Sequence, residues 1–246
     1  MFYVEGCGLI AVCSLILIWP GIPIASSGMW GLMLGICLIN LAGTILFYRA
    51  LTIGTLSIVA PILASYAVVT ALLAVLAGER PATLPLIGAL LLTIGVITVS
   101  KSERAVGSIL LLGVPEALGV AILLGVFFWT LSFATPHLGV LWPVVVMRLV
   151  RFLSIFLWSF LRKDQTMRLT RSLWLMVASA AVLDTLGFVS FNLGISHAHI
   201  SIVTVLASLM TAVTVILAWV VLRERLSRWQ WAGVGVIVIG VLLVNF

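Results

Sequence analysis

Apolar stretches of about 18 to 23 residues recur along this chain between short polar breaks, each long enough to carry a helix across roughly 30 Å of hydrocarbon. Nine spans are read at 2–19, 28–50, 55–77, 84–100, 114–134, 139–161, 173–195, 199–222 and 229–245. Helices are the expected element, because a helix satisfies every backbone N–H and C=O within its own segment where no water can. The breaks carry turn chemistry. Pro20, Pro23, Ser26, Ser27 and Gly28 follow the first span, Gly78 to Pro81 follow the third, and Gly113 with Pro115 opens the fifth.

Composition sharpens the picture. Of 246 residues, 63% are hydrophobic and 8% charged, and the mean hydropathy is +1.35, which leaves too little polar coat for a water-soluble core. A net charge of +6 would suit nucleic acid, but the 13 Lys and Arg residues are scattered through short loops, so the lipid bilayer is the expected partner and nucleic acid is not. Ten of them, from Arg49 and Lys101 to Arg225 and Arg228, lie in or beside the second, fourth, sixth and eighth loops, against Arg80 alone on the other side. The excess of cytoplasmic cations then puts the N-terminus inside and the C-terminus, after nine crossings, outside. Cys7, Cys13 and Cys37 sit within apolar runs without ligand spacing and read as packing residues. The first span lacks a basic leader and a small-residue cleavage pattern, so it reads as a retained helix.

Self-comparison finds an internal repeat. At an offset of 144, Trp30 aligns with Trp174, Asn40 with Asp184, Gly43 with Gly187 and Ser57 with Ser201. At 145, Glu79-Arg80 aligns with Glu224-Arg225, Gly88 with Gly233, and Gly95 with Gly240. Five helices separate equivalent points, so the second copy must cross the bilayer in the opposite sense, as in secondary transporters with inverted-topology repeats. The expected fold is an all-α polytopic membrane bundle of about nine transmembrane helices built from an inverted five-helix unit. Residues 1–100 form the first repeat with four helices, 101–113 a linker loop, and 114–246 the second repeat with five. Nothing before Met1 matches the fifth helix, so the first copy is incomplete by about one helix.

The run from Gly28 to Ser100 with GERP at Gly78 to Pro81, and its echo from Ser201 through RERLSRWQ at Arg223 to Gln230 and on to Val241, resembles the EamA-type repeat of the drug/metabolite transporter superfamily. The resemblance covers nearly the whole chain and implies export of amino acids, related metabolites or amphiphilic compounds through a central cavity between two inverted sets of five helices. By it, the leading helix of the first set is lacking. Three features depart from the family: Tyr66 and Thr211 stand where it often has Pro, the loop between the first two helices carries no charge, and the family's C-terminus is normally cytoplasmic.

Asp184 is the leading candidate residue. It lies eleven residues from either end of its predicted span, where an isolated carboxylate costs about 2.5–3.5 kcal/mol and must be protonated, paired or in contact with water. It is a candidate for binding a proton or a substrate amine, and equally for a structural bond to a neighbouring helix. Asp184, Phe188 and Asn192 share a helical face at spacing four, matched in the first copy by Asn40, Thr44 and Tyr48. Tyr66, Thr211 and Trp129 complete the candidate substrate-binding set, although hydroxyl stripes such as Ser201, Thr204, Ser208 and Thr211 also serve close helix packing. Arg148 and Arg151, three apart in an apolar helix, must snorkel or find partners, a helix-to-helix pair being favoured over substrate binding. Glu116 reads as a first-turn dipole partner, and Glu79-Arg80 as a surface pair or turn.

His197 and His199 alone do not make a metal site, and no catalytic motif, phosphate loop or cofactor signature is present, so neither cofactor nor enzymatic activity is expected. The expectation is a secondary carrier in the cytoplasmic (inner) membrane, moving a small-molecule substrate outward by alternating access, with possible proton coupling. The competing readings are a translocase of lipid-linked intermediates and a shortened, non-transporting membrane subunit.

Overall fold

The computed structural model describes residues 2–18, 23, 25–54, 59, 62–63, 65–80, 83–100, 113–162, 171–209, 213 and 228–244. Among these the chain is all-helical, with nine helices and no strand: α1 (Phe2–Ile18), α2 (Ser27–Ile53), α3 (Tyr66–Leu76), α4 (Thr83–Ser100), α5 (Val114–Leu138), α6 (Trp142–Arg162), α7 (Arg171–His197), α8 (Ile200–Ser208) and α9 (Arg228–Val244). Each overlaps one span expected from the apolar pattern. Four are long and apolar enough to cross a membrane, namely Ser27–Ile53, Val114–Leu138, Trp142–Phe160 and Leu173–His197. The chain is an integral membrane protein. Helices α3 and α8 are shorter than expected because parts of the spans 55–77 and 199–222 lie outside the described residues.

The chain forms two compact units, and each draws helices from both halves of the sequence. The first unit contains residues 1–38 and 130–197, so it holds α1, α6, α7 and the adjoining parts of α2 and α5. There α1 packs on both α6 and α7. Its buried apolar side chains include Val12, Met33, Ile36, Val144 and Met147. Tyr3 meets the edge of Trp174 at 5.4 Å, and Trp30 meets Trp142 at 6.0 Å between ring centroids, geometries that suit the aromatic quadrupole.

The second unit holds residues 39–129 and 198–246. Its most extensive pairing is α4 against α9, with α8 packed on α3 and α4. Glycine makes the α4–α9 approach possible. A Cβ added to Gly95 would lie 3.0 Å from the Gly233 carbonyl oxygen, and one added to Gly240 would lie 2.9 Å from the Gly88 carbonyl oxygen. Residue numbers rise along one helix as they fall along the other, so the pair is antiparallel. Around it Ala67, Ala89, Leu92, Val205 and Ile237 form a sealed core. Helix α3 also meets α5, where its Thr70 hydroxyl donates 3.0 Å to the Gly125 carbonyl.

Glu79 has a role that the apolar pattern does not announce. Gly78 takes a left-handed φ of +100°, a turn that glycine adopts without the Cβ penalty, and the residue after it is carried to the start of α8. Its Oε2 accepts the Ser201 N–H at 3.2 Å and its Oε1 lies 3.0 Å from His199 Nδ1. The side chain is only 14% exposed; what reads from sequence as a surface pair or a turn-fixing group is a carboxylate at a helix N-terminus, satisfying an otherwise unpaired amide and the helix dipole. Glu79→Ala is expected to lower stability by about 0.5–2 kcal/mol, whereas exposed Arg80→Ala stays within about 0.5 kcal/mol. Paired melts of the detergent-solubilised variants check the contrast.

A buried ionic cluster as the candidate functional site

Helix α6 presents Leu149, Leu153, Phe156, Leu157 and Trp158 outward and turns Arg148 inward, where it is wholly buried. A guanidinium at such a position demands partners, since an unpaired buried charge is among the most costly features a fold can carry. Arg148 finds them on two helices. Its Nη1 donates to Glu5 Oε2 of α1 at 2.9 Å, and its Nη2 to Asp184 Oδ2 of α7 at 2.6 Å and to Thr185 Oγ1 at 3.1 Å. Its Nε has no partner among the described residues. The fit depends on Gly8, one turn beyond Glu5: a Cβ there would lie 2.8 Å from Arg148 Cζ and 2.9 Å from Nε.

Arg151, one turn further along α6, donates from Nη1 to Glu5 Oε1 at 3.3 Å and lies 5.9 Å above the Phe188 ring. The cluster therefore sets two guanidiniums against two carboxylates. Its members differ in access. The Glu5 side chain is 5% exposed, held between two cations, whereas that of Asp184 is 49% exposed and makes one charged contact among the described residues. Thr185 is oriented by donating its own proton to the Ala181 carbonyl at 2.7 Å, leaving its oxygen to accept from Arg148. The arrangement holds both guanidiniums in place while leaving one carboxylate half-exposed.

The candidates read from sequence distribute over both units. Asp184 stands in the cluster, and Asn192, two turns along the same helix, is buried with its Nδ2 donating 2.9 Å to the Val140 carbonyl. Its Oδ1 has no partner among the described residues. In the second unit Asn40 is buried and Tyr48 is 47% exposed against the edge of Phe47. Tyr66 packs on Phe128 with centroids 5.2 Å apart, and Trp129, next to Phe128, is half-buried. Thr211 lies outside the described residues. The hydroxyl stripe on α8 is turned back on its own helix at Thr204, which donates to the Ile200 carbonyl at 2.8 Å. Glu116 pairs with Arg49 Nε at 3.5 Å.

Glu5 and Gly8 are the members that sequence reasoning missed. The only signal was a lone carboxylate inside an apolar run one turn before a glycine. Repeat-equivalent positions also have unlike surroundings: Asn40 is 1% exposed where Asp184 is open. A Cβ on Gly43 would touch Leu123 and Leu124 of α5 at 3.4 to 3.5 Å, while one on Gly187 would meet no described atom within 4 Å.

The family model described as "EamA-like transporter family" matches residues 2–101 and 111–246. No curated protein matches the sequence. A solved crystal structure, described only as that of a protein, superposes with a TM-score of 0.82 over 100% of this chain and 87% of its own, at 15% identity. At that identity the likeness concerns the fold.

Proposed function

This chain belongs to the EamA-like transporter family, and from that premise we propose that it is a secondary carrier exporting small metabolites, such as amino acids or amphiphilic compounds, by alternating access. The observation that carries the reading is Asp184: a half-exposed carboxylate midway along a helix of bilayer length. An ion there is tolerated where it lines water rather than lipid, which is the usual mark of a transport pathway. Proton coupling at the same carboxylate gives the export its driving force, with substrate and proton taking turns on Asp184. The cytoplasmic membrane is the proposed location.

The inverted repeat belongs to this proposal, as do nine crossings. Its support is the reciprocity within α4 and α9. Under the repeat, Gly88 corresponds to Gly233 and Gly95 to Gly240, so the Gly95–Gly233 approach maps onto the Gly240–Gly88 approach. A two-fold relation between antiparallel copies predicts such an exchange.

The test begins with efflux of amino acids and their toxic analogues from cells lacking or overproducing the protein. The solute so identified is then followed in reconstituted vesicles under an imposed proton gradient. Asp184→Asn is expected to reduce gradient-driven flux at least tenfold while leaving the protein folded. Unchanged flux would remove Asp184 from the mechanism.

A further inference from the structure

We infer that the accessible end of the Glu5–Arg148–Asp184 cluster recognises a positively charged ammonium group, so that the transported solutes are amine-bearing and organic anions are rejected. The inference deepens the carrier reading and rests on it for flux, though not for binding. It follows from which charges are sealed and which are open. Both guanidiniums are withdrawn, with side chains 0% and 12% exposed, and so is the Glu5 carboxylate at 5%, whereas Asp184 is 49% exposed. A solute arriving from the open side therefore meets a carboxylate first. An anion would have to displace Asp184 from Arg148 and then remain beside it, two like charges sharing one guanidinium.

The order in which the pairs can open favours the same ligand. Parting Arg148 from Asp184 leaves the guanidinium with Glu5 at 2.9 Å and Thr185 at 3.1 Å, and leaves a carboxylate that is already half-exposed on the surface of the chain. Parting it from Glu5 would strip a main counter-charge from a sealed acid, the costly direction. Asp184 is thus the exchangeable partner and Glu5 the fixed one. An incoming ammonium takes the Asp184 carboxylate by a charge-assisted hydrogen bond. Arg148 does not follow, because Glu5 holds it and Gly8 lets it lie flat against α1. Glu5 and Gly8 are accordingly positioning residues: they act through Arg148 and do not touch the ligand.

The probe is a charge series of nearly constant size, n-butylammonium, n-butanol and butyrate, read by the melting temperature and tryptophan fluorescence of the purified full-length protein. Butylammonium is expected to stabilise the wild-type protein with an apparent affinity at least tenfold above butanol, and butyrate to have no saturable effect. Asp184→Asn should remove the preference for the cation, and Asp184→Glu, which keeps the charge on a longer arm, should keep it. Stabilisation by butyrate, or a cation preference that survives Asp184→Asn, would overturn the inference. If Asp184→Asn does not fold, the wild-type series and Asp184→Glu still decide it. Vesicle flux separates the two readings. Binding of butylammonium without any solute movement would sink the carrier and leave the site, whereas flux indifferent to solute charge would sink the site and leave the carrier.

Discussion

Arg148→Met is expected to lower the stability of the folded protein by about 3–5 kcal/mol, the usual consequence of removing one partner from a buried ion pair. The substitution keeps most of the side-chain volume, so the loss reports charge and not a cavity. It leaves the sealed Glu5 carboxylate with the 3.3 Å contact to Arg151 as its remaining ion pair, and leaves Asp184 and Glu5 without the cation that stood between them. Asp184→Asn should cost much less, because Arg148 keeps Glu5 and Thr185. At about 2–4 °C per kcal/mol for a chain of this size, the Arg148→Met midpoint should fall by roughly 6–20 °C. The fourfold apolar replacement Glu5→Leu, Arg148→Met, Arg151→Leu and Asp184→Leu should recover most of that loss. Desolvating four charges opposes folding nearly as much as their pairing favours it. Such a protein would be stable and inert, with no cation preference and no gradient-driven flux. Melts of the two variants beside the wild type make the comparison. A fourfold variant as unstable as Arg148→Met would mean that the cluster is a net stabiliser, and its place in the fold would need no functional reason.

How much of this was legible in the sequence depends on the range over which each signal acts. The helices were legible because membrane thickness fixes their length, and every span read from the apolar pattern overlaps an observed helix. Asp184 and the two arginines announced themselves because a charge in an apolar window is expensive wherever the chain folds. Their partner did not. Glu5 is a lone carboxylate in an apolar run with no partner in its own helix, and only the packing of α1 on α6 and α7 turns it into the buried centre of a cluster. Gly8 is likewise indistinguishable by sequence from Gly6, whose added Cβ would make ordinary 3.5 Å contact with Phe152. Glu79 was placed at water because it ends a helix. The left-handed turn at Gly78, which delivers it to α8, is a local feature with a long-range consequence. Residues that the repeat aligns need not share an environment. Asn40 and Asp184 align, yet one is sealed and the other open.

Gly240→Val is expected to cost about 3 kcal/mol, at the upper end of what overpacking a tight interface produces. An added Cβ at Gly240 would lie 2.9 Å from both the Gly88 carbonyl oxygen and the Leu92 backbone N. Neither atom can yield unless α4 itself moves. Alanine at this position gains up to about 1 kcal/mol from better helix propensity and loses more to the clash, so Gly240→Ala should still destabilise. At Gly95 the nearest obstacles are Ile237 Cγ1 at 2.6 Å and the Gly233 carbonyl oxygen and Ile237 N at 3.0 Å; a β-branched isoleucine is stiff at χ1 in a helix, so Gly95→Ala should destabilise as well. Gly235 supplies the control on the same helix. A Cβ there meets no described atom within 4 Å, and Gly235→Ala should stabilise by up to about 1 kcal/mol. Opposite signs at two glycines five residues apart on one helix would show that close approach to α4, and not composition, selects glycine. Melting temperatures of the four variants decide it. If Gly240→Ala and Gly235→Ala shift the midpoint equally, the α4–α9 contact is looser than described, and the reciprocity that supports two antiparallel copies loses its physical basis.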